Sequence, residues 1–192
     1  MLENNNIILG SGSPRRKELL GGLGVHFCVL VRKGISEDYP AELSAHQVAQ
    51  YIAEEKMSAY TDLLVGNTIV ITADTVVICD NEIMGKPADV AEAKAMLHKL
   101  SGRTHQVTTG VCIASKEKRK SFHVTTDVTF KPLSEEEIDY YISNYKPFDK
   151  AGAYGIQEWI GYIGVTSLNG SYFNVMGLPV QRIYEMLQEF DK

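Results

Sequence analysis

Residues 68–87 read TIVITADTVVICDNEIMGKP. The run from Thr68 to Cys79 is dominated by β-branched residues and contains neither Gly nor Pro, which is the composition of a buried, pleated strand. Asp80-Asn81 then forms a turn, and the residues after it make a short return strand. Upstream, Ile7 to Gly10 is a short buried strand. Ser13 is placed to cap a helix whose first turn holds Pro14 and which runs to about Gly24. FCVLVRKG reads as a second strand, and Ser44 to Gln47 has capping-box spacing for a helix through about Thr61. Downstream, DVAEAKAMLHKLSG is an amphipathic helix closed by Gly102. THQVTTGVCIAS and KSFHVTTDVTFKPL are two strands joined by KEKRK, a solvated hairpin tip rather than a nucleic-acid patch. SEEEIDYYISNY is a capped helix, KPFDKAGAYGIQEWIGYIG is irregular, and PVQRIYEMLQEF closes the chain as a helix. Helices alternate with strands early and hairpins dominate the middle. The expectation is an α/β fold with a mixed central sheet flanked by helices, its strand-end loops gathered around one cleft.

The chain has 192 residues, room for one sizeable domain or two closely joined lobes sharing a core, and neither repeats nor linkers divide it. A net charge of −5 argues against a broad electrostatic footprint for nucleic acid. An anion bound here must meet a local cluster of cations, so a small ligand is expected rather than a polymer. Cys28, Cys79 and Cys112 are odd in number and lie in apolar, strand-like contexts, and they read as buried free thiols. The opening MLENNNIILG lacks the regions of a signal peptide, and no apolar run reaches membrane-spanning length. The expected compartment is a reducing cytoplasm, with no membrane partner.

Two features carry chemistry. In SGSPRRKELL a Gly-Ser turn containing Ser11 and Ser13 lets backbone N–H groups approach an anion, and the following helix presents its positive end. Helical spacing puts Arg16 on the side of Leu19, Leu20 and Leu23, with Arg15 on the flank. Arg16 needs either an anionic ligand or a structural carboxylate partner. The second feature is Asp74, an ionisable residue midway along an apolar strand, which is either paired or functional. Lys86 follows the hairpin, Lys56 lies on the helix leading into the strand, and Glu37 occupies the loop before that helix. Carboxylates among cations fit a divalent metal held on polyphosphate, since Mg²⁺ takes one or two protein carboxylates and fills its shell with water and phosphate oxygens. His105 reads as a hydrogen-bonded structural histidine. Asp149 and Lys150 precede a glycine-spaced segment that could approach a base or sugar, and Gln157 could bond a base edge. Tyr154 and Trp159 read as core. GxSxG, GxxxxGK[ST] and Cys-His metal arrays are absent.

Together, SGSPRRKELL, Glu37, EEK ending at Lys56, TADTVV, GKP, LSGRTHQVTTG and DKAGAYGIQ resemble the Maf family of nucleoside-triphosphate pyrophosphatases, in the family's order and over roughly residues 7 to 190. Arg15, Thr75 and Gln157 are similar to the dTTP/UTP branch. The resemblance implies a two-lobed fold around a substrate cleft, like that of inosine-triphosphate pyrophosphatases, and frequent homodimerisation. It implies a divalent cation, Mg²⁺ or Mn²⁺, at Glu37 and Asp74, with Asp74 also the proton acceptor. Ser11, Ser13, Arg16, Lys56 and Lys86 would then bind phosphate, and Arg15, Thr75 and Gln157 would select the base. The expected reaction converts dTTP or UTP, and modified uridine triphosphates with them, to the nucleoside monophosphate and pyrophosphate. Two other readings are a purine-directed pyrophosphatase and a non-catalytic nucleotide-sensing regulator of cell division. GIQE in place of the family's more usual GIQG sets Glu158 beside Gln157, and Thr72 stands where glycine is common.

Overall fold

In the computed structural model, which describes residues 5–190, the stretch quoted above forms β3 (Thr68–Cys79) and β4 (Glu82–Met84). β3 is buried along its length except at Asp74 and Thr75, which are half-buried. Asp80 and Asn81 have φ of 53° and 64°. A two-residue hairpin needs this left-handed backbone, and short polar side chains tolerate it. The turn sets a register that pairs Val77 with Met84 and Cys79 with Glu82.

The remaining strands are β1 (Asn6–Leu9), β2 (Phe27–Val29), β5 (Thr104–Ala114), β6 (Arg119–Phe130) and β7 (Val165–Asn169). Their order in the sheet is β2-β1-β3-β5-β6-β7, with β4 paired to β3 off that path. β1 runs parallel to β2 and β3, while β3–β4 and β6–β7 are antiparallel, so the sheet is mixed as expected.

The chain divides into two compact units, one of Met1–Asp74, Thr109–Val124 and Gly177–Lys192, the other of Thr75–Thr108 and Thr125–Met176. The first holds α1 (Pro14–Gly21), α2 (Ala45–Ser58) and α7 (Val180–Gln188). Its core gathers Ile8, Ala53, Met57, Tyr60, Val70, Cys112 and Ala114. α2 lies directly on β5, because a Cβ at Gly110 would stand 2.2 Å from the backbone nitrogen of Gln50. The second unit holds α3 (Val90–Leu100), α4 (Glu135–Tyr145), α5 (Trp159–Gly164) and α6 (Tyr172–Met176). His105, Phe130 and Tyr154 meet edge to face in its interior, with centroids 5.0–5.4 Å apart.

Local chemistry explains the helix starts. Ser13 accepts from the Arg16 amide at α1, Asp89 from Glu92 at α3, and capping boxes open α2 and α4. Three expectations need correction. Cys28 is exposed, since β2 is a three-residue edge strand rather than a buried one; Cys79 and Cys112 are buried free thiols as expected. The second strand stops at Val29, and the chain then runs without regular structure to α2. The segment expected to be irregular contains α5, and β7 follows it. Among the described residues, no helix is long and apolar enough to cross a membrane. Residues 1–4, part of the stretch read for targeting, lie outside the described residues.

Candidate active site

The SGSPRR turn begins at Gly10, where a Cβ would stand 2.9 Å from the Tyr60 ring and 3.0 Å from Thr72 Cγ2. Only glycine lets the backbone pass so close to these side chains. Ser11 Oγ accepts from the Ser13 amide at 3.3 Å, and Ser13 Oγ accepts from the Arg16 amide at 3.4 Å. Each hydroxyl keeps its own proton to donate. Arg16 Nε donates to the Gly177 carbonyl at 2.9 Å, and Nη1 donates to the Ala73 carbonyl at 2.8 Å and to Ser11 Oγ at 3.3 Å. The arginine thus ties the start of α1 to the carbonyl immediately before Asp74. Burial lowers its pKa from the ordinary value, opposed by Asp74, assisted by Arg15 and opposed by Glu37.

Asp74 meets Lys56 because α2 is registered against β3. Thr72 Oγ1 donates to the Ala53 carbonyl at 2.7 Å. Two residues on along β3, on the same face, is Asp74; three residues on along α2, nearly one turn, is Lys56. Lys56 Nζ lies 2.7 Å from Asp74 Oδ1 and 2.7 Å from Glu37 Oε1. Lys56 and Asp74 have side chains only 15% and 14% exposed, whereas Glu37 is 51% exposed. The long coil that carries Glu37 is fastened near its start. The Leu30 amide donates to the Leu9 carbonyl, the Arg32 amide donates to Tyr60 Oη at 3.0 Å, and Tyr60 Oη donates to the Leu30 carbonyl at 3.0 Å.

The first unit therefore brings together Ser11, Ser13, Arg16, Glu37, Lys56 and Asp74, residues spread over 64 positions of sequence. Asp74 is paired, as one of the two alternatives raised by its sequence setting requires, and it is still reachable by solvent. Arg15 and Thr75 are half-buried. Thr72, which the sequence marked only as a departure from glycine, provides the bond that aligns Lys56 with Asp74.

In the second unit Lys86 is exposed, and its neighbour Gly85 accepts from the Gly152 amide at 3.0 Å, fastening GKP to the AGAYG segment. Gln157 lies in that same segment, half-buried. Sequence reasoning missed the network around it. Lys150 Nζ is 2.7 Å from Asp149 Oδ1 and 3.2 Å from Glu158 Oε1, and Tyr141 Oη donates to Glu158 Oε2 while accepting from the Gly155 amide at 3.0 Å. Burial, and then the bond to Glu158, hold the Tyr141 phenol above its ordinary pKa, so it stays a donor. His105 is the structural histidine expected: its Nε2 is 2.7 Å from Tyr154 Oη, and burial lowers it to about 4.

The comparisons with known proteins agree with one another. The family model for Maf-like protein matches residues 6–190. A dTTP/UTP pyrophosphatase of Phocaeicola vulgatus is 56% identical over 188 residues, covering 98% of this chain and 97% of that protein. Proteins of the same name from Porphyromonas gingivalis (53% identical, 98% and 96% covered) and Parabacteroides distasonis (52%, 99% and 100%) are similar over nearly their full lengths.

Proposed function

The chain belongs to the Maf-like family, and from that premise we propose that it hydrolyses dTTP and UTP between the α- and β-phosphates, removing them from the nucleotide pool. The water oxygen forms a bond to the α-phosphorus, the bond from that phosphorus to the bridging oxygen breaks, and pyrophosphate leaves with the bond's electron pair. The products are the nucleoside monophosphate and pyrophosphate. The observation that carries this reading is the meeting of Lys56, Glu37 and Asp74, beside an Arg16 that holds the carbonyl before Asp74, in a chain about half identical to enzymes of that name.

Asp74 accepts the proton of the attacking water. Its bond to Lys56 uses Oδ1, one of two carboxylate oxygens. Lys56 and Arg16 offset the negative charge that gathers on the phosphate and the leaving pyrophosphate, and a partly buried cation does this more strongly than one in water. Ser11 and Ser13 donate to phosphate oxygens, and Lys86 neutralises the phosphate chain. Arg15, Thr75 and Gln157 read the base.

A divalent cation, Mg²⁺ or Mn²⁺, belongs to the same reading. Among the described residues there is no group of three or more His, Cys, Asp or Glu side chains that could hold a metal by themselves. Two carboxylates facing one cation are what a magnesium ion uses when phosphate and water complete its shell. Glu37 and Asp74 would hold it. Bound there, it would supply charge neutralisation and a more acidic water. A homodimer in a reducing cytoplasm completes the proposal; the three free thiols fit a reducing compartment.

Incubation with dTTP and Mg²⁺ tests the reaction: dTMP and pyrophosphate are expected, and dTDP with orthophosphate rejects the bond assignment. Asp74→Asn should lower kcat about 10²–10⁴-fold while nucleotide binding, read by calorimetry, survives. Full turnover in that variant removes Asp74 from the chemistry. A panel of purine triphosphates separates this reading from the purine-directed one.

A further inference from the structure

Gly155 is the point where three side chains of the second unit converge. A Cβ there would stand 2.9 Å from Gln157 Nε2, 3.1 Å from Glu158 Cδ and 3.1 Å from Lys150 Cε. The Gly155 amide donates to Tyr141 Oη at 3.0 Å, and the same hydroxyl donates to Glu158 Oε2. Glu158 Oε1 takes the other side of the clamp, 3.2 Å from Lys150 Nζ. Glu158 is also the N-cap residue of α5, yet its side chain makes no capping bond. Its carboxylate is directed instead to Tyr141 and Lys150, which together fix the backbone on both sides of Gln157. Gln157 Oε1 is buried without a hydrogen-bond partner among the described residues. The oxygen is thus turned inward, while Nε2 lies beside Gly155.

We propose that Tyr141 and Glu158 are positioning residues that hold the Gln157 amide nitrogen foremost, so that it pairs with a ring carbonyl and disfavours an exocyclic amine. Thymine and uracil carry a carbonyl at ring position 4, where cytosine carries an amino group. A donor facing a carbonyl forms a hydrogen bond, whereas a donor facing an amine leaves both groups unpaired. This inference rests on the base-reading role of Gln157 in the function proposed above and adds what sets that residue's orientation.

The test measures kcat and KM for dTTP and dCTP in the intact chain and in Tyr141→Phe, Glu158→Gly and the double variant, with thermal unfolding as a control. Glu158→Gly is the variant that keeps the test sound if Tyr141→Phe unfolds, because Lys150 keeps Asp149 as its partner at 2.7 Å and glycine is accepted at an N-cap with little loss. The ratio of kcat/KM for dTTP over dCTP should fall about tenfold in each single variant, through a higher KM for dTTP. The double variant should lose no more than either single one, since both remove the same clamp. An unchanged ratio in folded variants, a loss confined to kcat and equal for both nucleotides, or full additivity overturns the inference while leaving the hydrolase intact. An unsubstituted chain that turns over dTTP and dCTP equally also overturns it. No turnover of either dTTP or UTP by the unsubstituted chain rejects the proposed function itself.

Discussion

Each unit of this protein sets a lysine with a mostly buried side chain between two carboxylates. In the first, Lys56 lies between Glu37 and Asp74; in the second, Lys150 lies between Asp149 and Glu158. The two differ in how they are assembled and in what remains for a ligand. Lys56, Glu37 and Asp74 come from a helix, a coil and a strand far apart in sequence, and Asp74 uses only Oδ1 toward the lysine. Lys150 takes its partners from its own segment, and both oxygens of Glu158 are engaged, one by Lys150 and one by Tyr141. The same charge pattern leaves a carboxylate oxygen for the proposed chemistry in one place and closes a structural clamp in the other.

Replacing each lysine by methionine tests that contrast most severely. Lys150→Met leaves the Glu158 carboxylate in a mostly buried setting without its cation, and breaking such a pair costs about 3–5 kcal/mol. We expect a markedly lower urea midpoint, with kcat for dTTP changed by less than about threefold. Lys56→Met should do the reverse, lowering kcat/KM about 10²-fold, the scale of losing one preorganised charge-stabilising group, with a smaller change in midpoint. If both variants lose activity and stability in equal measure, the two clusters do not divide the work in this way.

Acid sharpens the same contrast, because His105 lies in the interior of the second unit and its pKa is lowered to about 4 by burial. Above pH 6.5 the imidazole is neutral in both the native and unfolded chains and contributes nothing to pH dependence. Between pH 6.5 and 4 the unfolded chain takes up a proton that the native state refuses, so stability falls as pH falls and levels off below about 4. The shift corresponds to about 3 kcal/mol. Urea unfolding of the unsubstituted chain and His105→Phe across this range should show their difference narrowing by about that amount; parallel curves would mean that His105 titrates normally.

What could be read from the sequence was what neighbouring residues decide. Ser13, Ser44 and Ser134 cap helices through groups three residues away, and Asp80-Asn81 turns β3 into β4 by its own backbone preference. Asp74, Lys56 and Glu37 were identifiable as candidates because charged residues beside apolar runs need partners, although only the fold pairs them. Cys28 misled because an apolar trio looks the same in an edge strand as in a buried one. β7 was invisible for the opposite reason: its polar VTSLN is a strand because β6 pairs with it. The Tyr141–Glu158 contact joins residues 17 positions apart across an irregular segment, and no local pattern announces it.

Thr72 shows how small a tertiary bond can carry that alignment. Its hydroxyl donates to Ala53 at 2.7 Å inside the core, and Ala53 lies one short turn before Lys56. Thr72→Val keeps the shape and the β-branching while deleting the donor, so the stability loss should be about 1 kcal/mol. Because the bond also sets the height of α2 against β3, a further effect is expected on the chemistry: kcat lowered a few-fold with KM nearly unchanged, since an error of tenths of an ångström in the spacing between Lys56 and Asp74 weakens charge stabilisation more than binding. Steady-state kinetics beside thermal unfolding separates the two effects. A variant that is less stable yet has unaltered kcat would show that α2 is held in register by Gly110 and its packing on β5 alone.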